Sequence, residues 1–291
     1  EFLDERMSRG YDNVMVARRK DFGKEQLSFL YAELGSISAM AEWLECSPKA
    51  VSNAMKRHGL EYTSSRKYEI NHQFFSPENE SPSQFYWAGF LAASANVIQT
   101  SAGDKAYRIE LNLGMKDKSH LEEMVRAFEG DIPVREVTVT LRGQPYQQVR
   151  LVVSSKQMVL DLARFGIGAK KKFSYVMPEW LLQHDLVKDF VRGWVDGKGN
   201  FYTTSVENKE RREFRTSGTV TFLNQLISLF SKKLSLENPS PSLAEDKNGL
   251  GKVRFLQQGD VEKIANFLYS DSEIMLNRKM SLALQSKKAE E

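Results

Sequence analysis

The stretch FVRGWVDGKGNF, residues 190–201, reads as an apolar helix face that runs into a glycine-rich stop. Phe190, Val191, Trp194 and Val195 recur at helical spacing, and Gly197 and Gly199 end the run. An earlier segment has the same form. In SQFYWAGFLAASANV, residues 83–97, a helix of large apolar residues also carries small ones and ends in a small-residue turn. Gly89 and Gly193 hold equivalent places, 104 positions apart.

The segments downstream of the two helices match as well. The first helix is succeeded by YRIELNLGM, a strand by its alternation of Ile109, Leu111 and Leu113 against Arg108, Glu110 and Asn112. Then come a helix (KSHLEEMVRAFEG), two strands (VREVTVTL and YQQVRLVVS) and a helix (SKQMVLDLARFG). The second is succeeded by strands FYTTSV and REFRTSG, helix FLNQLISLFSKKLSL, strands PSLAED and KVRFLQ, and helix GDVEKIANFLYSD. A repeat of this length is a domain duplication. The expected fold class is α+β, two αββαββα half-domains, each a helix-backed antiparallel sheet.

One face of each sheet should pack on helices. The other is expected to carry Arg108, Asn112, Thr138, Thr140, Arg142, Gln148 and Arg150 in the first half, and Arg215, Lys252 and Arg254 in the second. An open face rich in arginine, threonine and amides suits a nucleic-acid saddle. Small residues Ala88, Gly89, Ala92, Ala93, Gly193 and Gly197 should let the two repeated helices approach closely, with Trp87, Phe90, Leu91, Trp194 and Val195 filling the core around them.

Upstream, QLSFLYAELGSISAMAEWLECSPKAVSNAMKRHGL reads as three short helices. Leu27, Phe29, Leu30 and Leu34 give the first an apolar face, and Ile37, Met40, Ala41 and Leu44 the second. Ser47 is an expected N-cap with Pro48 at the first helical position, and Ala50, Val51, Met55 and Leu60 should face inward. Helix, tight turn, helix is the pattern of a helix-turn-helix, and Lys49, Ser52, Asn53, Lys56 and Arg57 would lie on its outward face. The next residues are rich in serine, proline and asparagine and read as a linker, from which Arg66 and Lys67 could touch a DNA backbone. The expected division is 1–64 helix-turn-helix, 65–81 linker, 82–180 first half-domain and 181–291 second half-domain.

The totals set bounds. The chain has 291 residues, 41% hydrophobic and 27% charged, which favours packed domains over disorder. A net charge of +3 neither requires nor excludes nucleic acid, so the distribution of charge carries the argument. One cysteine, Cys46, allows no internal disulfide and no cysteine-based zinc site, and fits a reducing, cytoplasmic setting. His58, His72, His120 and His184 lack metal-ligand spacing and read as surface or capping residues. No apolar run is long enough to span a bilayer.

Trp87–Ala95 (WAGFLAASA) and Val191–Gly199 (VRGWVDGKG) resemble the paired motifs of single-chain LAGLIDADG homing endonucleases, over roughly residues 82–288. The resemblance implies that each motif helix ends over DNA in an acidic residue, and that the two carboxylates hold divalent ions for phosphodiester cleavage. The matching positions here are Ser94 and Lys198, and Asp196 lies two residues before the second. Neither a serine hydroxyl nor an ammonium replaces a carboxylate as a magnesium ligand. Lys198 is therefore expected to contact DNA or to fill the lost metal's electrostatic role. WhiA-like regulators, which join a degenerate domain of this family to a helix-turn-helix in the opposite order, are a looser parallel. The expected function is sequence-specific binding of double-stranded DNA without cutting, as a transcriptional regulator from a phage or mobile element. It would act as a monomer through its duplication, with no metal or other cofactor and no membrane partner. An active endonuclease using Mg²⁺, with Asp196 or Glu110 recruited, and an RNA-binding intron maturase are the alternatives.

Overall fold

The computed structural model describes residues 22–34, 36–62, 68–99, 107–141, 143–169, 173–206, 209–238, 241–247 and 249–284. The expected DNA contacts Arg66, Lys67 and Arg142 lie outside them. The chain forms two compact units, Glu1–Lys67 and Tyr68–Glu291.

Among the described residues the first unit holds three helices: α1 (Lys24–Leu34), α2 (Ile37–Trp43) and α3 (Pro48–Arg57). Ser36 and Ser47 cap α2 and α3, each accepting a backbone N–H three residues on, and Pro48 opens α3. Glu45, in the turn between them, takes a left-handed conformation (φ 49°). Leu27, Leu30, Met40, Ala41, Val51, Ala54 and Met55 make the core. Three expectations fail here. Phe29 is 53% exposed, Leu34 is also exposed, and Ala50 gives its inward place to Ala54. A helix this small has a core on one side only, so its apolar stripe is narrower than its apolar composition.

The second unit is duplicated. Helix α4 (Pro82–Ser94) leads into β1 (Asn96–Gln99), β2 (Tyr107–Gly114), α5 (Lys118–Ala127), β3 (Arg135–Leu141), β4 (Gln144–Ser154) and α6 (Lys156–Leu162). A short α7 (Glu179–Gln183) precedes the second copy. That copy runs α8 (Val187–Lys198), β5 (Asn200–Val206), β6 (Lys209–Thr219), α9 (Val220–Leu234), β7 (Ser242–Glu245), β8 (Leu250–Phe255) and α10 (Gln258–Tyr269), followed by α11 (Asn277–Leu284). Both sheets are antiparallel, with strand orders β1-β2-β4-β3 and β5-β6-β8-β7. The α+β class and the αββαββα repeat are as expected. Strand β1, directly after the first glycine-bearing helix, is an addition to the expected elements.

Helix α4 is buried over ten successive residues, Gln84–Ala93. An all-round apolar helix is a core helix, and α8 is its neighbour in that core. Residues 68–81 are not a linker. Phe75 is fully buried, Phe74 and Phe75 pack with Phe128, and Asn71 N–H donates to the Phe128 carbonyl at 2.8 Å. Gln84 then donates to the carbonyls of Phe74 and Ser76, both at 2.8 Å. Two adjacent phenylalanines outweigh the polar composition around them.

Candidate nucleic-acid interface

The seam between α4 and α8 is made by backbone contact. A Cβ on Gly89 would stand 1.9 Å from the Phe190 carbonyl oxygen, and one on Gly193 would stand 1.9 Å from that of Tyr86. Phe190 and Tyr86 each lie three residues before the glycine of their own helix, so the two contacts are related by a local two-fold. Gly197 meets Ala93 and Ser94: its Cβ would lie 2.5 Å from the Ala93 Cβ and 2.6 Å from Ser94 Oγ. Ala88, Ala92 and Ala93 are buried in the same core.

At the end of this seam Ser94 is half-buried and Lys198 is exposed. The Lys198 ammonium lies over the Trp194 ring, 5.2 Å from its centroid. Asp196 points inward. Its Oδ2 accepts from the Tyr86 hydroxyl and the Leu276 N–H, and its Oδ1 accepts from the Tyr269 hydroxyl, each at 2.7 Å. Burial raises the Asp196 pKa; the bonds from Tyr86, Tyr269 and Leu276, and the charge of Lys279, oppose that rise.

Around Asp196 lies a buried polar network that the sequence pattern did not reveal. Because Tyr86 gives its only proton to Asp196, His120 Nε2 must donate to the Tyr86 oxygen, 2.9 Å away. His120 is 3% exposed, against the expectation of a surface or capping histidine, and burial pushes its pKa down to about 4. Lys279 donates to the carbonyls of Val195, Asp196 and Gly199, at 3.1, 2.6 and 2.7 Å, closing the last turn of α8. Its neighbour Arg278 pairs with both oxygens of Asp117, at 2.7 and 2.8 Å. Helix α11 thus ties the end of α8 to the first half-domain.

This end of the seam does not suit a divalent cation. It offers a neutral hydroxyl and an ammonium, and both oxygens of Asp196 are engaged by the fold. Among the described residues, no three His, Cys, Asp or Glu side chains are grouped so as to hold a metal ion.

The strand registers fix the open faces. In the first sheet Asn112 opposes Arg150, which opposes Arg135, while Arg108 and Gln148 share that side. Thr138 and Thr140 do not. They oppose Gln147 and Pro145, on the side of buried Val149 and Leu151, and the open side of β3 carries Val137 and Val139. The far end of the β3–β4 hairpin runs past the core, so threonines on the core side stay exposed and mimic an open-face pattern. In the second sheet Arg215 opposes Arg254 and Ser217 opposes Lys252. Glu110 lies between Arg108 and Arg150, and Glu213 between Arg215 and Arg254. Arg135 and Glu213 are additions to the expected set, whereas Glu110 lies on the side its alternation with Arg108 and Asn112 predicted; the two-residue step Glu213–Arg215 was a legible signal for Glu213.

In the first unit Lys49, Asn53, Lys56 and Arg57 are exposed along α3, as expected, but Ser52 is half-buried and bonded to the Tyr62 hydroxyl. Among the described residues no helix is long and apolar enough to cross a membrane.

The structure is similar to that of the homing endonuclease I-WcaI bound to its DNA recognition sequence, with a TM-score of 0.53 and 13% identity over 68% of this chain and 85% of that one. It is more loosely similar to the LAGLIDADG meganuclease I-AabMI bound to uncleaved DNA, with a TM-score of 0.44 and 14% identity over 70% of this chain and 88% of that one. No protein-family model matches the sequence, and no curated protein matches it. The likeness is therefore one of architecture: the second unit has the duplicated fold of the LAGLIDADG homing endonucleases.

Proposed function

We propose that this protein binds double-stranded DNA at a specific sequence and leaves it uncut. The two open sheet faces would lie in successive major-groove segments, and α3 of the first unit would act as the reading helix of a helix-turn-helix. Lys49, Asn53, Lys56 and Arg57 would meet bases and phosphates there, with Ser52 in a supporting place. Residues 1–64 would form that module and the duplicated remainder a monomeric saddle. A regulator recruited from a mobile-element nuclease fits these parts. I-WcaI, whose fold it shares, is bound to its DNA recognition sequence.

The observation that carries the non-cleaving part is the seam end: Ser94 half-buried against Gly197, Lys198 exposed, and Asp196 inward with both oxygens occupied. An ammonium there attracts a phosphate and repels a divalent ion. Lys198 would hold the DNA backbone where the two halves meet.

Selection from a random duplex library, followed by titration across salt, tests the binding. A defined bipartite site is expected, bound much more tightly than random duplex. Binding without sequence preference would overturn the reading. Supercoiled DNA carrying the selected site, incubated with Mg²⁺ or Mn²⁺, should stay intact; a site-specific double-strand break would favour the endonuclease alternative.

A further inference from the structure

In each sheet a shielded glutamate sits between exposed arginines. The Glu213 side chain is 5% exposed, while Arg215 and Arg254 beside it are 41% and 46% exposed. Arg254 Nη2 donates to Glu213 Oε2 at 2.8 Å, and Arg215 pairs with Oε1. The Glu110 side chain, 14% exposed, lies 3.7 Å from Arg108 Nε and 3.4 Å from Arg150 Nη2, whose side chains are 37% and 44% exposed.

The registers make these clusters costly as pure scaffolding. Arg215 directly opposes Arg254 across β6 and β8, and Arg135 directly opposes Arg150 across β3 and β4. Like charges in direct cross-strand opposition destabilise a sheet. A shielded carboxylate loses hydration that its partners only partly restore. Apolar or threonine pairs at these positions would stabilise the sheets better.

The same geometry prepares arginines to read a base. A guanidinium has five N–H donors in a rigid plane, so a carboxylate that takes one edge leaves another edge fixed in direction. Arg215 is further oriented by the Tyr202 ring, whose centroid is 4.7 Å from its guanidinium carbon. Fixing the side chain beforehand removes part of the ordering cost of binding. A fixed outward fork matches the O6 and N7 acceptors of guanine in the major groove. The carboxylate beneath also reduces the net positive charge of the patch, which weakens sequence-independent attraction to phosphates.

We infer that Glu213 is a positioning residue that aims Arg254 and Arg215 at guanine edges and thereby sets sequence preference rather than general affinity for DNA. This rests on the proposed DNA binding and names the base class it recognises.

The test compares the wild-type protein, Glu213→Gln and Arg254→Lys. For each, site selection is repeated, and Kd for the wild-type site and for random duplex is measured across salt. For Glu213→Gln, affinity for the site should fall roughly 10- to 100-fold, the worth of a lost bidentate base contact. Affinity for random duplex should hold or rise. Guanine preference should vanish in the half-site under the second sheet and persist in the other. A purely structural ion pair would weaken both kinds of binding together. Glu213→Gln with an unchanged specificity ratio and guanine preference would overturn the inference. Where circular dichroism shows that variant unfolded, Arg254→Lys decides, because it removes the fork and keeps the charge. Its expected result is lost guanine preference with an unchanged salt slope, and a retained preference overturns the inference. The wild-type arm separates the two levels: no selected site defeats the proposed DNA binding itself, while a site that survives both substitutions defeats only the role of Glu213.

Discussion

A Cβ on Gly89 would strike the Phe190 carbonyl oxygen, and a Cβ on Gly193 that of Tyr86, both at 1.9 Å. Along their middles, α4 and α8 are copies. One turn further on they differ. Ala92 of α4 and Asp196 of α8 hold equivalent places and are both 2% exposed, yet one is a methyl group in a core and the other a carboxylate at the centre of a polar network. The middle is symmetric because close backbone approach admits glycine on both sides and nothing larger. The ends are free to differ because α11 lies beside the last turn of α8, with Lys279 on its carbonyls. Symmetry survives where geometry demands it and lapses where a neighbouring element supplies other partners.

The strongest way to break this contrast is to make the α8 end like the α4 end. Asp196→Ala strips the acceptor from two buried tyrosine hydroxyls and a backbone N–H, and removes the larger of the two carboxylate effects, those of Asp196 and Asp117, that act on the Lys279 ammonium. Removing one member of a buried charged network costs about 3–5 kcal/mol. Urea unfolding at neutral pH measures it. A loss below about 1 kcal/mol would mean that the two helix ends are energetically alike and the network is incidental.

Next in size are the matched substitutions Gly89→Ala and Gly193→Ala. Each forces a methyl group onto a backbone carbonyl that cannot rotate away, so the helices must separate. Each should cost about 3 kcal/mol, the upper range of overpacking, even after the helix-propensity gain of alanine. Near-equal losses in the two variants are the point. If one were tolerated and the other not, the local two-fold would not govern the packing.

His120 belongs to the asymmetric side and gives it a pH signature. Burial lowers its folded pKa to about 4; Arg278 and Lys279 push the same way and Asp117 opposes them. The unfolded chain takes up this proton near pH 6.5, whereas the folded chain stays neutral there and takes it up only near pH 4. The stability concerned is complete above pH 6.5 and is lost as pH falls toward 4, about 3 kcal/mol in all. His120→Gln keeps an N–H donor for Tyr86 and should remove that part of the acid slope of the urea midpoint. An unchanged slope would place the acid sensitivity elsewhere.

The symmetric features were the legible ones. Small residues repeated in two apolar helices, and period-two alternation in Ile109, Leu111 and Leu113, are local signals that need no partner to be read. The Asp196 network was not legible, because Tyr86 and Tyr269 come from 110 and 73 positions away, and nothing local marks a tyrosine as the donor to a distant acid. Thr138 and Thr140 misled for a related reason: alternation gives the side of a strand but not how far the core extends beneath it. Phe74 and Phe75 lay in a stretch whose average polarity hid two strong anchors.

The finest probe of the local two-fold is an exchange between its halves. Ala93 and Gly197 are equivalent residues that face each other, one with a methyl group and one without. Gly197→Ala alone puts two methyl carbons 2.5 Å apart and crowds Ser94 Oγ, and should cost about 1–2 kcal/mol. Ala93→Gly alone gives up helix propensity and a buried methyl group, about 1–2 kcal/mol. Made together, they move the methyl group to the other helix and keep one per contact. If the seam is two-fold in its packing, the double variant should be more stable than the sum of the single losses predicts, by about 1 kcal/mol, since the clash introduced by one change is relieved by the other. Denaturant midpoints of the four proteins measure that coupling. Strict additivity would mean that Ala93 and Gly197 do not share one space, and that the resemblance of the two helices ends a turn earlier than their glycines suggest.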